Sequence, residues 1–153
     1  MDSRGGASRG RRKKVLFLCT GNACRSQMAE GWARALKSGV IEAYSAGVAP
    51  CFVHPLAVRV MKEAGVDITA QYSKHVEELD GIAFDYVVTL CDYADSKCPV
   101  RPGQGKRVHR PFEDPIHARG METEVMAKFR SVRNRIRAFV EGMPENLDGP
   151  EAK

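Results

Sequence analysis

The 153-residue sequence lacks any long hydrophobic run. Its longest apolar stretches, residues 15–18 and 86–90, are strand-sized and fall far short of the roughly 20 residues that a membrane helix needs. No membrane span is expected. The basic N-terminus has no apolar segment behind it before Val15, which argues against a secretory signal and points to the cytoplasm. Histidine is scarce, and His54, His75, His109 and His117 show no metal-ligand spacing. Each is expected to be a surface or packing residue, and no bound metal or cofactor is expected. Internal repeats are absent.

A basic face is missing as well, despite a net charge of +5. Arg4, Arg9, Arg11, Arg12, Lys13 and Lys14, set against Asp2, account for that charge, so the remainder is close to neutral. A folded domain without a basic patch is not expected to bind nucleic acid. Residues 1–13, rich in Gly, Ser and Arg, read as a disordered basic tail. Residues 14–142 read as one domain, long enough to bury a single core. Residues 143–153, rich in Pro and Gly, read as a flexible tail, and the chain as a monomer.

Cysteine, by contrast, is plentiful: Cys19, Cys24, Cys51, Cys91 and Cys98. In a reducing compartment an odd set of thiols points to metal binding or thiol chemistry rather than structural disulfides. Residues 14–18 have the continuous apolar character of a buried parallel strand. A helix is predicted over 27–37, with Met28, Trp32 and Leu36 on one face. Further strands are predicted at 43–46, 84–90 and, weakly, 107–109, and a helix at 55–63 closed by Gly65. A long last helix carries the stripe Val125, Phe129, Val132, Ile136 and Val140. Alternating strands and helices imply an α/β three-layer sandwich with a central four-stranded parallel sheet. Ligands bind such sheets beyond the carboxyl ends of the strands. The first and third strands would deliver Cys19 and Cys91 to that same edge.

The segment Cys19-Thr20-Gly21-Asn22-Ala23-Cys24-Arg25-Ser26 separates cysteine from arginine by five residues, between a strand and a helix. Consecutive backbone N–H groups can curl around a tetrahedral anion, and Gly21 and Asn22 tolerate the positive φ that such a loop can require. The following helix N-terminus adds partial positive charge, and Arg25 can clamp two oxygens. The same field is expected to lower the Cys19 thiol pKa, with Ser26 hydrogen-bonded to the sulfur. Asp114, stiffened by Pro115, suits a general acid and an ordinary turn aspartate equally well on spacing alone. Cys91 and Cys98 read as redox thiols, zinc ligands or packing residues. Only His109 and His117 stand near enough to complete a zinc site.

The loop, continued by Gln27-Met28-Ala29-Glu30-Gly31-Trp32, closely resembles that of the thioredoxin-coupled arsenate reductases, which share the fold of the low-molecular-weight protein tyrosine phosphatases. The segments Tyr44-Ser45-Ala46-Gly47, Val87-Val88-Thr89-Leu90-Cys91, Cys98-Pro99 and Phe112-Glu113-Asp114-Pro115 match in the same order, so the resemblance covers roughly residues 13–141. It implies a nucleophile at Cys19, an anion clamp at Arg25, a general acid at Asp114 and relay cysteines at Cys91 and Cys98. Residues 20–26 would bind arsenate, and thioredoxin would be the external electron donor. Cys24 has a counterpart that is not essential, and Cys51 has none.

Where the phosphatases follow the loop serine with proline, Gln27 stands here, and Ile116-His117 replaces their tyrosines. A phosphatase using Cys19, Arg25 and Asp114 is the alternative. Some reductases bind potassium through side chains that include Asn22, Glu30 and Ser45 here. A further carboxylate of that site is replaced by Lys74, whose ammonium could occupy the ion's place. The relay also sets a geometric condition. Seven helical residues span about 10 Å, whereas a disulfide needs alpha carbons within roughly 7 Å. Residues 92–97 would therefore have to unwind or bulge for Cys98 to reach Cys91.

Overall fold

Four parallel strands, β1 (Lys13–Cys19), β2 (Ile41–Gly47), β3 (Tyr86–Thr89) and β4 (Lys106–His109), form one sheet in the order β2-β1-β3-β4. The structure is a computed structural model that describes residues 11–98 and 105–148. Helices α1 (Arg25–Leu36), α2 (Pro55–Glu63), α3 (Asp92–Lys97) and α4 (Glu122–Glu141) flank the sheet, giving the three-layer α/β arrangement expected. Val15, Leu16, Phe17 and Leu18 of central β1 are all buried, because a parallel strand in the middle of a sheet is covered on both faces.

The helices follow local signals. His54 caps α2, its Nδ1 accepting from the Leu56 amide at 3.1 Å. Pro55 fills the first helical position, where its missing N–H costs nothing. Gly65, at φ +88°, turns the chain after the helix. In α4, Phe129, Val132, Ile136 and Val140 are buried as their spacing demands, joined by Met126 and Phe139, while Val125 lies at the edge. Helix α1 packs tightly near its middle: a Cβ on Gly31 would stand 2.7 Å from Ile68 Cγ2. Trp32 is buried with its indole N–H donating to the Arg133 carbonyl of α4 at 3.2 Å.

Three expectations need correction. Helix α1 begins at Arg25 rather than 27, and Leu36 is 39 % exposed, so its apolar stripe ends at Trp32. Arg11, Arg12 and Lys13 belong to the fold rather than to a loose tail. Arg11 pairs with Asp85 at 3.1 Å, Arg12 with Glu42 at 3.5 Å, and Lys13 opens β1. The disorder expected for 1–10 and for 149–153 lies outside the described residues. At the other end, Met143 and Leu147 are fully buried, so packing continues beyond residue 142 to a 3-10 turn, Glu145–Leu147.

Met143→Ala is therefore expected to lower unfolding stability by about 2–5 kcal/mol, the cost of emptying a buried site of this size. Urea denaturation would check it; a change below about 1 kcal/mol would place Met143 outside the core.

Candidate active site

The loop after β1 is held from three directions. At the end of β2, Gly47 lies so close that a Cβ would stand 2.7 Å from the Thr20 carbonyl and 2.9 Å from the Asn22 amide. Only glycine fits there. Asn22 adopts φ +49°, a conformation asparagine tolerates better than most residues. Its side chain is fixed at both ends: Oδ1 accepts from the Lys74 amide at 3.0 Å, and Nδ2 donates to Ser26 Oγ at 2.7 Å. Gln27 Nε2 donates to the Asn22 carbonyl, and Ser73 Oγ and the Cys51 amide donate to that of Gly21.

Because Ser26 Oγ accepts from Asn22, its own proton is free to point at Cys19 Sγ, 2.9 Å away. Cys19 is 2 % exposed. Burial pushes its thiol pKa up, and the Ser26 hydroxyl, the Arg25 charge and the Ser26 and Asn22 amides offset only part of that. The lowered pKa expected from the sequence is thus corrected: desolvation of the thiolate outweighs the loop's donors. Burial also pushes the Cys24 thiol up, reinforced by the negative charge of Asp114.

Arg25 is 7 % exposed. Its Nη1 donates to the Phe112 carbonyl and its Nη2 to Asp114 Oδ2, each at 3.1 Å. Its Nε is buried with no hydrogen-bond partner among the described residues. The other Asp114 oxygen accepts from the Ile116 amide at 3.2 Å, capping the turn Pro115–His117, and His117 Nε2 stands 3.7 Å from Oδ2. Asp114 is therefore a turn aspartate by local structure and also reaches the loop's arginine.

Cys91 leaves β3 as the N-cap of α3, its Sγ accepting from the Ala94 amide at 3.4 Å. That sulfur lies 3.2 Å from Thr20 Oγ1, so Cys91 touches the residue next to Cys19. Cys98 follows α3 at its far end and is half-buried. Cys19, Thr20, Gly21, Ala23, Cys24, Arg25 and Asp114 line a cavity of about 540 Å³. Ala49, Cys51, Tyr93, Ile116 and His117 complete its wall. No local pattern marks these last five as wall residues: Ala49 and Cys51 come from the loop after β2, Tyr93 from α3, and Ile116 and His117 from the turn after Asp114.

Behind the loop, Lys74 is 8 % exposed. Its Nζ donates to the carbonyls of Ser45 at 3.0 Å and Tyr72 at 3.1 Å, and lies 4.4 Å from the Tyr72 ring centroid. Burial lowers its pKa, opposed by Glu30 and Glu78. Glu30 is itself held by Ser45 Oγ at 2.5 Å and Arg34 Nε at 2.8 Å. These residues do not fit a potassium ion, because the Lys74 ammonium already places a positive charge beside Glu30, whose carboxylate is held by Ser45 and Arg34.

Comparison with known proteins agrees with this arrangement. The model of the low molecular weight phosphotyrosine protein phosphatase family matches residues 14–149. An arsenate reductase of Halalkalibacterium halodurans is 45% identical over 134 residues, covering 85% of this chain and 96% of that protein. The structure of an arsenate reductase in the phosphate binding state superposes with a TM-score of 0.70 at 34% identity, covering 89% of this chain and 99% of that one. A thioredoxin-dependent arsenate reductase of Corynebacterium glutamicum superposes with a TM-score of 0.60 at 26% identity, covering 85% of this chain and 62% of that one. With the loop, its buried arginine and the adjoining cysteine in place, the chain belongs to the low molecular weight phosphotyrosine protein phosphatase family, among its arsenate reductases.

Proposed function

We propose that the chain reduces arsenate to arsenite, with Cys19, Cys91 and Cys98 supplying and passing on the electrons and thioredoxin restoring the thiols. The observation that carries this reading is the 3.2 Å approach of Cys91 Sγ to Thr20 Oγ1. Hydrolysis of a phosphate ester needs only the loop, because water completes that cycle. A second cysteine held against the loop suits a reaction that must deliver two electrons.

An entering oxyanion competes with Asp114 for Arg25 and gives the unpaired Nε an acceptor. That relieves a buried donor whose isolation costs about 1–3 kcal/mol. Cys19 attacks arsenic and its thiol proton passes, by way of the Asp114 carboxylate released from Arg25, to the departing hydroxyl, leaving a thiol–arsenate adduct and water. The Ser26 hydroxyl and the loop amides favour the attacking thiolate against the cost of burial. Cys91 then attacks the Cys19 sulfur, and arsenic leaves with the bonding electron pair as arsenite. Cys98 attacks Cys91 in turn, freeing Cys19 and storing the oxidation as a Cys91–Cys98 disulfide. The thioredoxin dependence named for the Corynebacterium glutamicum relative supports thioredoxin as the external reductant.

With thioredoxin, thioredoxin reductase and NADPH, Cys98→Ser is expected to lose multiple turnover by more than about 100-fold while keeping one turnover per molecule. Cys91→Ser is expected to lose both. A phosphatase would release no arsenite in this assay and would hydrolyse a phosphate ester equally fast in the wild type and both variants, and that result would overturn the reading.

The Lys74 ammonium makes potassium dispensable. Arsenate turnover is expected to be the same in potassium and sodium chloride at equal ionic strength. A severalfold rise on adding potassium would contradict this role.

A further inference from the structure

Helix α3 spans only six residues, Asp92–Lys97. An isolated helix that short does not persist in water, because the nucleation cost exceeds what so few hydrogen bonds return. Its stability must come from elsewhere, and side chains of β3 and β4 provide it. Arg107 of β4 donates through Nε to Asp95 Oδ1 at 3.2 Å and through Nη2 to the Asp95 backbone carbonyl. That carbonyl is among the last four of the helix, which have no partner within it. Arg107 therefore caps the helix end from which Cys98 leaves. Thr89 of β3, fully buried, donates to the same Asp95 carboxylate at 2.8 Å. His109 joins by its Nδ1 contact to Thr89 at 2.8 Å and its Nε2 contact to Asp92 at 2.9 Å. Burial raises the Asp95 pKa, but Thr89, His109 and Arg107 together hold it below the ordinary carboxylate range.

We propose that Arg107, assisted by Thr89 and His109, is a positioning latch that keeps α3 helical in the reduced protein and thereby sets how readily the Cys91–Cys98 disulfide forms. This rests on the relay reading above. In the helical state Cys91 is held as N-cap against Thr20, and Cys98 lies about 10 Å along the helix. Closing the disulfide brings the two alpha carbons within roughly 7 Å, which requires the Arg107–Asp95 bonds to break. The latch thus stabilises the dithiol against the disulfide. It also presents Cys91 to the loop until Cys19 has been oxidised. None of Arg107, Thr89 and His109 touches the cavity or the reacting atoms.

The test equilibrates the full-length protein in buffers of stepped oxidised-to-reduced dithiothreitol ratio. The dithiothreitol couple takes up or returns the two electrons and two protons of the Cys91–Cys98 pair. Samples are acid-quenched and alkylated, and the Cys91–Cys98 linkage is quantified by peptide mass spectrometry. Arg107→Met is expected to favour the disulfide about tenfold, a midpoint about 30 mV more negative. Arg107→Lys, which keeps the charge but not the two-point grip, should recover part of that shift. Amides of residues 92–97 in reduced Arg107→Met should exchange hydrogen faster. Met143→Ala, which loosens the core at the end of α4 without touching the Arg107–Asp95 bonds, should leave the midpoint where it is in the wild type. If Arg107→Met and Thr89→Val form the disulfide at the wild-type midpoint, the latch is overturned and the relay stands. If the wild type never forms a Cys91–Cys98 linkage, even after arsenate turnover, the relay reading falls and the latch with it.

Discussion

The parallel pairing of β1 with β3 is the constraint on which the site depends. Leu18 lies opposite Thr89, and the Leu90 amide donates to the Leu18 carbonyl at 2.8 Å, so the two strands end side by side. Cys19 and Cys91 then leave the sheet at one edge, although 72 positions apart. With β2 on the other side of β1, the chain turns away in opposite directions after β1's neighbours. A crevice opens at such a switch point. A slip of one residue in that register would send Cys91 to the other face of the sheet, and loop and second thiol would no longer meet.

The two sides of the crevice differ in stiffness. The anion loop is braced by Asn22, Gln27, Ser73 and Lys74 and has Gly47 pressed against its back. Such a loop can present backbone donors to an oxyanion without reorganising, where most electrostatic stabilisation of reacting charge arises. The opposite side is a one-and-a-half-turn helix held largely by polar side chains from its neighbours. In the proposed relay, rigidity would serve the chemistry at Cys19, and marginal stability would serve the transfer that brings Cys98 to Cys91. Arg25 ties the loop to the turn that carries Asp114, holding that carboxylate at the cavity wall.

Much of this was legible from local pattern. The apolar run of β1, the Pro55 start and Gly65 end of α2, and the stripe of α4 are signals carried within a few residues, and the structure follows them. The cysteine–arginine loop was legible because strand, turn and helix coincide there. What escaped the sequence depends on tertiary contact. Helix α3 has no apolar periodicity to reveal it, and the bonds of Arg107 and Thr89 to its Asp95 come from strands far away in sequence. Residues 143–148 have the composition of a loose tail, yet Met143 and Leu147 find room in the core. The Cys19 thiol was misjudged because burial depth decides the balance between desolvation and donors, and depth is not written in a motif. Tyr93, Ile116 and His117 entered the cavity wall through folding alone.

The central claim is that Cys19 and Cys91 meet at one sheet edge and exchange a disulfide during arsenate reduction. A peptide map of the Cys98→Ser variant, quenched with acid after one equivalent of arsenate, tests it most directly. The account requires a Cys19–Cys91 linked peptide in amounts matching the arsenite released. Arsenite released with Cys19 and Cys91 both recovered as free thiols would contradict it.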